Sequence, residues 1–233
     1  MEFPIMYNII SRFSRLAFCC MAVTAFSIPT IALGADDLAS TGTRTHEQAI
    51  ETSAGKFIQT LGDKAIAVIA NKDFSQEQKA KNFAELLDEY FDLKTISRFV
   101  IGRSWNSATE AQQQEYISLF EKLIIKNYGS KMSMYTGEGF KVTGTRPESA
   151  SDTVVLSQIA HPGTNRGTNI DWRVRDKDGK IGVIDVVMEG VSMSVTQKQE
   201  YASIIQGNGG DIEGLLKLMR QQAAIPDIVS KEQ

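Results

Sequence analysis

Apolar residues recur every three or four positions through the first half of the chain and every second position through the next quarter. Ile50, Ala54, Phe57/Ile58, Leu61, Ala65 and Val68/Ile69 form one stripe, which predicts an amphipathic helix. Ser75 and Gln78 have capping-box spacing, in which each side chain satisfies a backbone N–H left free at a helix start. A second helix bearing Phe83, Leu86, Leu87 and Tyr90 should follow. Asp92 is placed to cap a short third helix that turns Ile96, Phe99 and Val100 inward and stops at Gly102. Thr109 and Gln112 repeat the capping box and open a long helix with the stripe Tyr116, Phe120, Leu123/Ile124, Tyr128 and Met132.

The period then shortens. Residues 140–146, 153–161, 168–175 and 181–191 read as four strands, separated by turn-forming runs such as Pro162-Gly163-Thr164-Asn165 and Asp176-Lys177-Asp178-Gly179. The third strand alternates cleanly, with Ile170, Trp172 and Val174 one way and Asp171, Arg173 and Arg175 the other. One of its faces is therefore covered and the other wet, and the short links predict an antiparallel meander. Ser192 and Ser194 lead into a helix carrying Tyr201, Ile204 and Ile205, which Gly207, Gly209 and Gly210 interrupt. Asp211 is placed to cap a last helix with Leu215, Leu216, Leu218 and Met219. Helices, then a four- to five-stranded antiparallel sheet, then two closing helices give an α+β fold in a single domain, expected over residues 46–223.

The ends of the chain read differently. Arg12 and Arg15 precede a mostly apolar run, Leu16 to Leu33, and Ala32-Leu33-Gly34 offers small residues where a signal peptidase cuts. Residues 1–34 are thus expected to be a secretory signal peptide, 35–45 a flexible leader and 224–233 a flexible tail. Pro29, Thr24, Ser27 and Thr30 dilute the run, which weakens the competing reading as a membrane anchor needing ~20 apolar residues. Cys19 and Cys20 fall inside the removed segment, so the exported chain has no cysteine. A chain of this length buries an adequate core without disulfides. Without residues 1–34, which hold Glu2, Arg12 and Arg15, 23 basic and 27 acidic residues remain, a net charge near −4. No stretch is basic enough to suggest nucleic acid or a polybasic membrane contact.

Candidate chemistry is sparse. The two histidines, His46 and His161, read as exposed turn residues, and no His/Cys/carboxylate spacing fits a metal site. Ser104, Ser192 and Ser194 lack a histidine partner that the sequence can propose. No cofactor is called for. Asp185 is the one provocative acid. Simple alternation puts it on the face of Ile181, Val183 and Val187, where it needs a partner or a proton and could serve an enzyme as acid or base. Alternatively it lies on the outer face, bonded to Arg173 or Arg175.

The stretch from Asp185 through Val186-Val187-Met188-Glu189-Gly190-Val191-Ser192-Met193-Ser194, the Gln/Lys-rich helix, Gly209-Gly210 and the Leu-rich last helix resembles one known family. That family is the periplasmic lipid carriers, which include MlaC, the toluene-tolerance auxiliary proteins and the hopanoid-associated HpnM proteins. A second block carries the same likeness: Phe91-Asp92, Phe99-Val100-Ile101-Gly102, Trp105, Ala108-Thr109 and Gln113, continuing through Tyr128 and Tyr135-Thr136-Gly137-Glu138. The resemblance spans residues 45 to 222. Two positions depart from it: Asn106 stands where the family often has Arg, and Glu110 where it often has Pro.

The resemblance implies a cone-shaped sheet with helices on its concave face, similar to the nuclear-transport-factor-2 architecture, and transport rather than catalysis. It implies a monomeric periplasmic carrier of a phospholipid, with a hopanoid or other isoprenoid lipid as the alternative cargo. Its partners would be an inner-membrane ABC transporter complex with an MCE component and an outer-membrane lipoprotein complex. It further implies an apolar cavity, for which Phe99, Val100, Tyr116, Phe120, Leu123, Ile124, Tyr128, Met132, Val155, Ile170, Trp172, Val187, Met193 and Tyr201 are the expected lining. The competing classes are an enzyme that uses Asp185 in the same pocket and a chaperone that holds peptide in an apolar groove.

Overall fold

The computed structural model describes residues 52–129, 138–163 and 167–225. The proposed signal peptide, leader, His46, Ile50, Met132, Tyr135 and most of the proposed tail lie outside them. Seven helices and a five-stranded sheet are present among the described residues: α1 Ser53–Ala70, α2 Gln76–Tyr90, α3 Leu93–Ile101, α4 Ser104–Ser107, α5 Glu110–Gly129, β1 Gly139–Pro147, β2 Asp152–Ala160, β3 Gly167–Lys177, β4 Lys180–Met188, β5 Val191–Ser192, α6 Met193–Gly207 and α7 Ile212–Ala224. The fold is α+β.

The capping chemistry forms as its spacing dictates. Ser75 Oγ accepts from Gln78 N–H at 3.2 Å while Gln78 Oε1 accepts from Ser75 N–H at 2.7 Å, a reciprocal box at the head of α2. Thr109 and Gln112 form the same pair before α5, at 3.3 and 3.0 Å. Asp92 caps α3 by accepting from Thr95 N–H at 2.9 Å, and Asp211 caps α7 by accepting from Glu213 N–H at 2.9 Å. Gly102 ends α3 at φ +59°, a backbone angle that a Cβ disfavours.

The sheet is antiparallel, in the order β1-β2-β3-β4-β5. The run expected as one strand over 181–191 divides at Glu189-Gly190. Both take positive φ, 49° and 81°, and the resulting tight turn folds β5 back on β4. A bulge interrupts β4 between Val183 and Asp185: Val183 pairs with Val174 and Asp185 with Arg173, leaving Ile184 as the extra residue.

Two apolar cores result. The helical core joins Val100 and Ile101 of α3, Tyr116, Phe120 and Leu123 of α5, Tyr201 and Ile205 of α6, and Ile212, Leu215, Leu216 and Met219 of α7. The sheet core joins Ala54, Ile58 and Leu61 of α1 and Leu86 and Tyr90 of α2 to Val142, Val155, Val174 and Val183. The joint between them is the Phe91-Asp92 segment, where Asp92 N–H donates to the Val183 carbonyl at the edge of β4, 3.0 Å away. This joint sets the spacing between the sheet and the α3–α5–α6 layer.

Candidate functional site

Register defines the face that looks toward the helices. Val142, Ser157, Ile170 and Met188 lie in one row across the strands; Thr145, Val155, Trp172 and Val186 lie in the next; Thr153, Val174 and Val183 follow. Under α1, toward β1 and β2, this inner face is sealed: Val142 and Val155 are fully buried. α1 lies close there, because Gly62 sits against the Phe140 ring. A Cβ at Gly62 would stand 2.1 Å from Phe140 Cδ1.

The β3–β4 half is different. Trp172 on the central strand, with Val186 and Met188 beside it, faces the helices yet stays only half-buried. They form a partly exposed apolar patch beside the buried Ile170, Val174 and Val183 of the same face. Phe91 and Phe140 flank Trp172 edge-on, with ring centroids 6.4 and 6.3 Å away. Its indole N–H donates to Ser157 Oγ at 2.9 Å, and that hydroxyl donates on to the Ile170 carbonyl at 2.8 Å. The one polar atom of the indole is thus satisfied within the sheet, so the exposed part of this patch is apolar aromatic and aliphatic.

On the helical side three rings meet. Tyr116 lies 5.8 Å from Phe120 and 6.3 Å from Tyr201, and Phe120 lies 6.5 Å from Tyr201. Tyr116 is fully buried, and its hydroxyl donates to the Ser97 carbonyl at 3.0 Å, tying α5 to α3. Burial pushes the Tyr116 and Tyr201 phenols well above the usual tyrosine range, so both stay neutral hydrogen-bonding groups.

The residues expected to line one cavity fall into groups. Val100, Tyr116, Phe120, Leu123 and Tyr201, with Ile124 packed alongside, belong to the helical core, and Val155 and Trp172 belong to the sheet core. Ile170 is buried on the inner face between Ser157 and Met188. Tyr128 is half-buried on the last turn of α5, and Met193 is half-buried as the first residue of α6. Two expectations need correction. Phe99 was expected to face inward but is 43% exposed, on the outward arc of α3, with the Lys198 ammonium over its ring at 4.2 Å. Val187 pairs with Asp171 on the outer face, because the bulge at Ile184 reverses the alternation of everything after it. Sequence reasoning also left out Phe91, Phe140, Val186 and Met188, which neighbour Trp172 on the inner face. The bulge hid the last two, and an isolated Phe91 before an N-cap reads simply as a helix end.

The same bulge decides Asp185. It lies beside Arg173 on the outer face rather than with Val183, buried at 4% exposure, and its hydrogen bonds go elsewhere than to the arginines. Oδ2 accepts from Ser192 Oγ at 2.6 Å, and Oδ1 accepts from Ser194 N–H at 3.1 Å and from Val186 N–H at 2.9 Å. Ser192 in turn caps α6 through Val195 N–H at 3.1 Å. The carboxylate anchors the first turn of α6 to β4, where a negative charge is favoured by the helix dipole. Arg173 instead pairs with Glu148 at 2.6 Å, and Arg175 with Asp152 at 2.8 Å. Among the described residues no cluster of three or more His, Cys, Asp or Glu side chains is arranged to hold a metal. His161 is exposed and bonds Thr168 Oγ1 at 2.9 Å.

Two surface clefts lie away from Trp172. One, of about 480 Å³, runs between α1, the end of α2 and the β3–β4 turn, lined by Lys56, Glu89 and Asp176 among others. The other, of about 560 Å³, lies between α5 and the end of α7, beside Glu121, Lys122 and Lys126. Both mix charged with apolar walls: Phe57, Tyr90 and Ile181 line the first, and Ile125, Ala223 and Ile225 the second.

The profile of the family described as "MlaC protein" matches residues 59–221. The chain belongs to the MlaC family. A curated relative from Haemophilus influenzae, the intermembrane phospholipid transport system binding protein MlaC, is 22% identical over 189 residues, covering 78% of this chain and 87% of its own. Among solved structures, the phospholipid-binding protein from Ralstonia solanacearum, determined in complex with a phospholipid, superposes with a TM-score of 0.64 at 24% identity. The match covers 72% of this chain and 96% of that one. At that identity the likeness speaks for the fold: the helices and antiparallel sheet of this MlaC-family chain follow the same arrangement. No helix among the described residues is long and apolar enough to cross a membrane.

Proposed function

We propose that this protein is a periplasmic carrier that takes a glycerophospholipid from one membrane and shields its tails in transit. The observation that carries the reading is the half-buried apolar patch of Trp172, Val186 and Met188 on the inner face of β3 and β4. Each methylene left in water costs ~0.8 kcal/mol, so a 16-carbon tail opposes leaving a bilayer by roughly 13 kcal/mol. A surface that covers the tail removes most of that barrier without specific polar contacts. Trp172, Phe91, Phe140, Val186 and Met188 offer such a surface, and the tails lie along it. The head group stays at the mouth, in water.

Membership of the MlaC family supports this reading, as do a relative named for phospholipid transport and a structural neighbour solved with a phospholipid. Delivery is to an inner-membrane ABC transporter complex with an MCE component and to an outer-membrane lipoprotein complex. Residues 1–34 export the chain and are removed. Transport rather than catalysis is favoured, since Asp185, the one acid that sequence could offer to chemistry, is bound up in anchoring α6.

The test is native mass spectrometry of protein purified from the periplasm without added lipid, followed by extraction. The expected result is about one equivalent of glycerophospholipid and a mature chain starting near Ala35. A lipid-free protein overturns the carrier reading, and a bound hopanoid overturns the cargo.

A further inference from the structure

Three large hydrophobic side chains are exposed among the described residues, and two of them share one surface. Phe99, 43% exposed on α3, and Val195, 41% exposed on α6, lie where these two helices pack together. Lys198 stands one turn after Val195, on the same side of α6. Its side chain crosses Gly102, where a Cβ would be 3.4 Å from Lys198 Cε, and its ammonium sits 4.2 Å from the Phe99 ring centre. One turn before Gly102, the Arg98 guanidinium lies 5.2 Å from the Trp105 ring centre. Lys94 and Arg103 are exposed on the same arc of α3 and just beyond its end.

What sets Arg98 and Lys198 apart is that an aromatic ring, and no described carboxylate, holds each of them. Lys64, Arg173, Arg175 and Arg220 all meet carboxylates at 2.6–2.8 Å. Arg98 and Lys198 meet aromatic rings instead, and none of Lys94, Arg98, Arg103 and Lys198 pairs with a described carboxylate. A chain with a net charge of −3 thus gathers four unneutralised cations around an exposed phenylalanine and a half-buried tryptophan. No stretch of sequence is basic; the fold assembles the patch from two helices.

We infer that the α3–α6 face is the docking surface for an acidic patch on a partner protein. Arginine, tryptophan and phenylalanine are the residues enriched where a few side chains dominate a protein–protein contact. Here cation–π contacts hold the cations in place before any partner arrives, which lowers the ordering cost of binding. An extended anionic bilayer is the less suitable occupant. Its field spans more than the patch and meets the negative charge of the rest of the chain, whereas a protein patch acts within a Debye length. The inference adds a partner surface to the carrier reading and stands without any assumption about the cargo.

The test places a photoreactive benzoylphenylalanine at position 195 of the full-length chain in cells, with irradiation, purification and sequencing of the cross-linked peptide. The expected product is an adduct to another protein through a peptide rich in Asp and Glu. Its yield should fall about tenfold or more in an Arg98→Glu/Lys198→Glu background, because like charges then face each other. The milder Arg98→Gln/Lys198→Gln pair, which only removes charge, should lower it less. Lipid content, weighed on the same preparations, should not change; its loss would count against the carrier reading and leave the surface standing. No protein adduct, an adduct to lipid alone or to a second copy of this chain, a partner peptide without carboxylates, or a yield indifferent to both pairs in folded protein overturns the inference.

Discussion

The two apolar cores of this protein are built from similar residues and finished differently. The helical core has a sealed centre: Tyr116, Leu215, Leu216 and Met219 are at 0–1% exposure, and the Tyr116 hydroxyl is satisfied by a backbone carbonyl. The sheet core has its own sealed centre at Val142, Val155, Val174 and Val183, but on the same inner face Trp172, Val186 and Met188 stay half-buried. A protein selected only for stability gains from sealing both. Leaving one aromatic surface unsealed beside a rigid, sealed scaffold is what a binding site for hydrocarbon requires. Under the proposed function, the difference assigns stability to one region and cargo to the other.

Substitutions in the sealed core should have the largest effect on stability and none on cargo. Leu215→Ala removes a fully buried side chain shared by α7 and the helical core. It should cost about 2–5 kcal/mol in urea unfolding, with the folded fraction still loaded with lipid. A stable but empty variant would break the division between the two regions. Asp185→Ala is next. It strips the Ser192 hydroxyl and the Ser194 and Val186 N–H groups of their acceptor, and should cost about 1–3 kcal/mol. Lipid loading should persist; lost activity in a folded, loaded variant would revive catalysis by this carboxylate.

A third substitution sharpens the comparison from the other side. Trp172→Phe keeps an aromatic surface but removes the N–H donor to Ser157. Its stability cost should be about 1 kcal/mol, well below that of the sealed core, while cargo affinity falls measurably in lipid-exchange assays. The smallest effect is expected at the outer face. Arg175 holds the Asp152 carboxyl below the usual carboxylate range, chiefly through the hydrogen bonds it donates. A depressed folded-state value means that the pair contributes fully above the unfolded pKa and is lost as pH falls through the folded one. Arg175 keeps 39% of its side chain exposed and Asp152 14%, so solvent screens the pair in part and Asp152→Asn should cost about 1 kcal/mol near neutral pH, with no difference from wild type in strong acid.

Much of the helical half was legible because its signals are local. A capping box needs only residues three apart, as at Ser75/Gln78 and Thr109/Gln112, and the stripe through Tyr116, Phe120 and Leu123 named the sealed core directly. The alternation in β3 likewise named Ile170, Trp172 and Val174 as the covered face. The sheet side of the site was less legible, because a single bulge at Ile184 inverts the facing of all later residues. That bulge carries no glycine or proline to announce it, so Val187 was assigned to the wrong face, Asp185 stayed open between the two faces, and Val186 and Met188 were missed. Phe99 erred for a different reason. Helical periodicity places a residue on an arc, and the edge of the apolar arc is where a bulky side chain can turn outward, here beneath Lys198. The cationic face of α3 and α6 was invisible for a third reason, since its members are about a hundred residues apart in sequence.

The chain has two tryptophans, and they sit on opposite sides of the proposed division. Trp172 faces the open inner surface, while Trp105 packs beside the sealed helical core under Arg98. Trp105→Phe and Trp172→Phe each leave one reporter, and a phospholipid with brominated tails quenches only fluorophores in near contact with its hydrocarbon. Loading this lipid should strongly quench the fluorescence of the Trp105→Phe protein, whose reporter is Trp172, and leave that of the Trp172→Phe protein nearly unchanged. Quenching of Trp105 with Trp172 unaffected, in protein shown by mass to carry the lipid, would contradict the placement of the tails on the β3–β4 face.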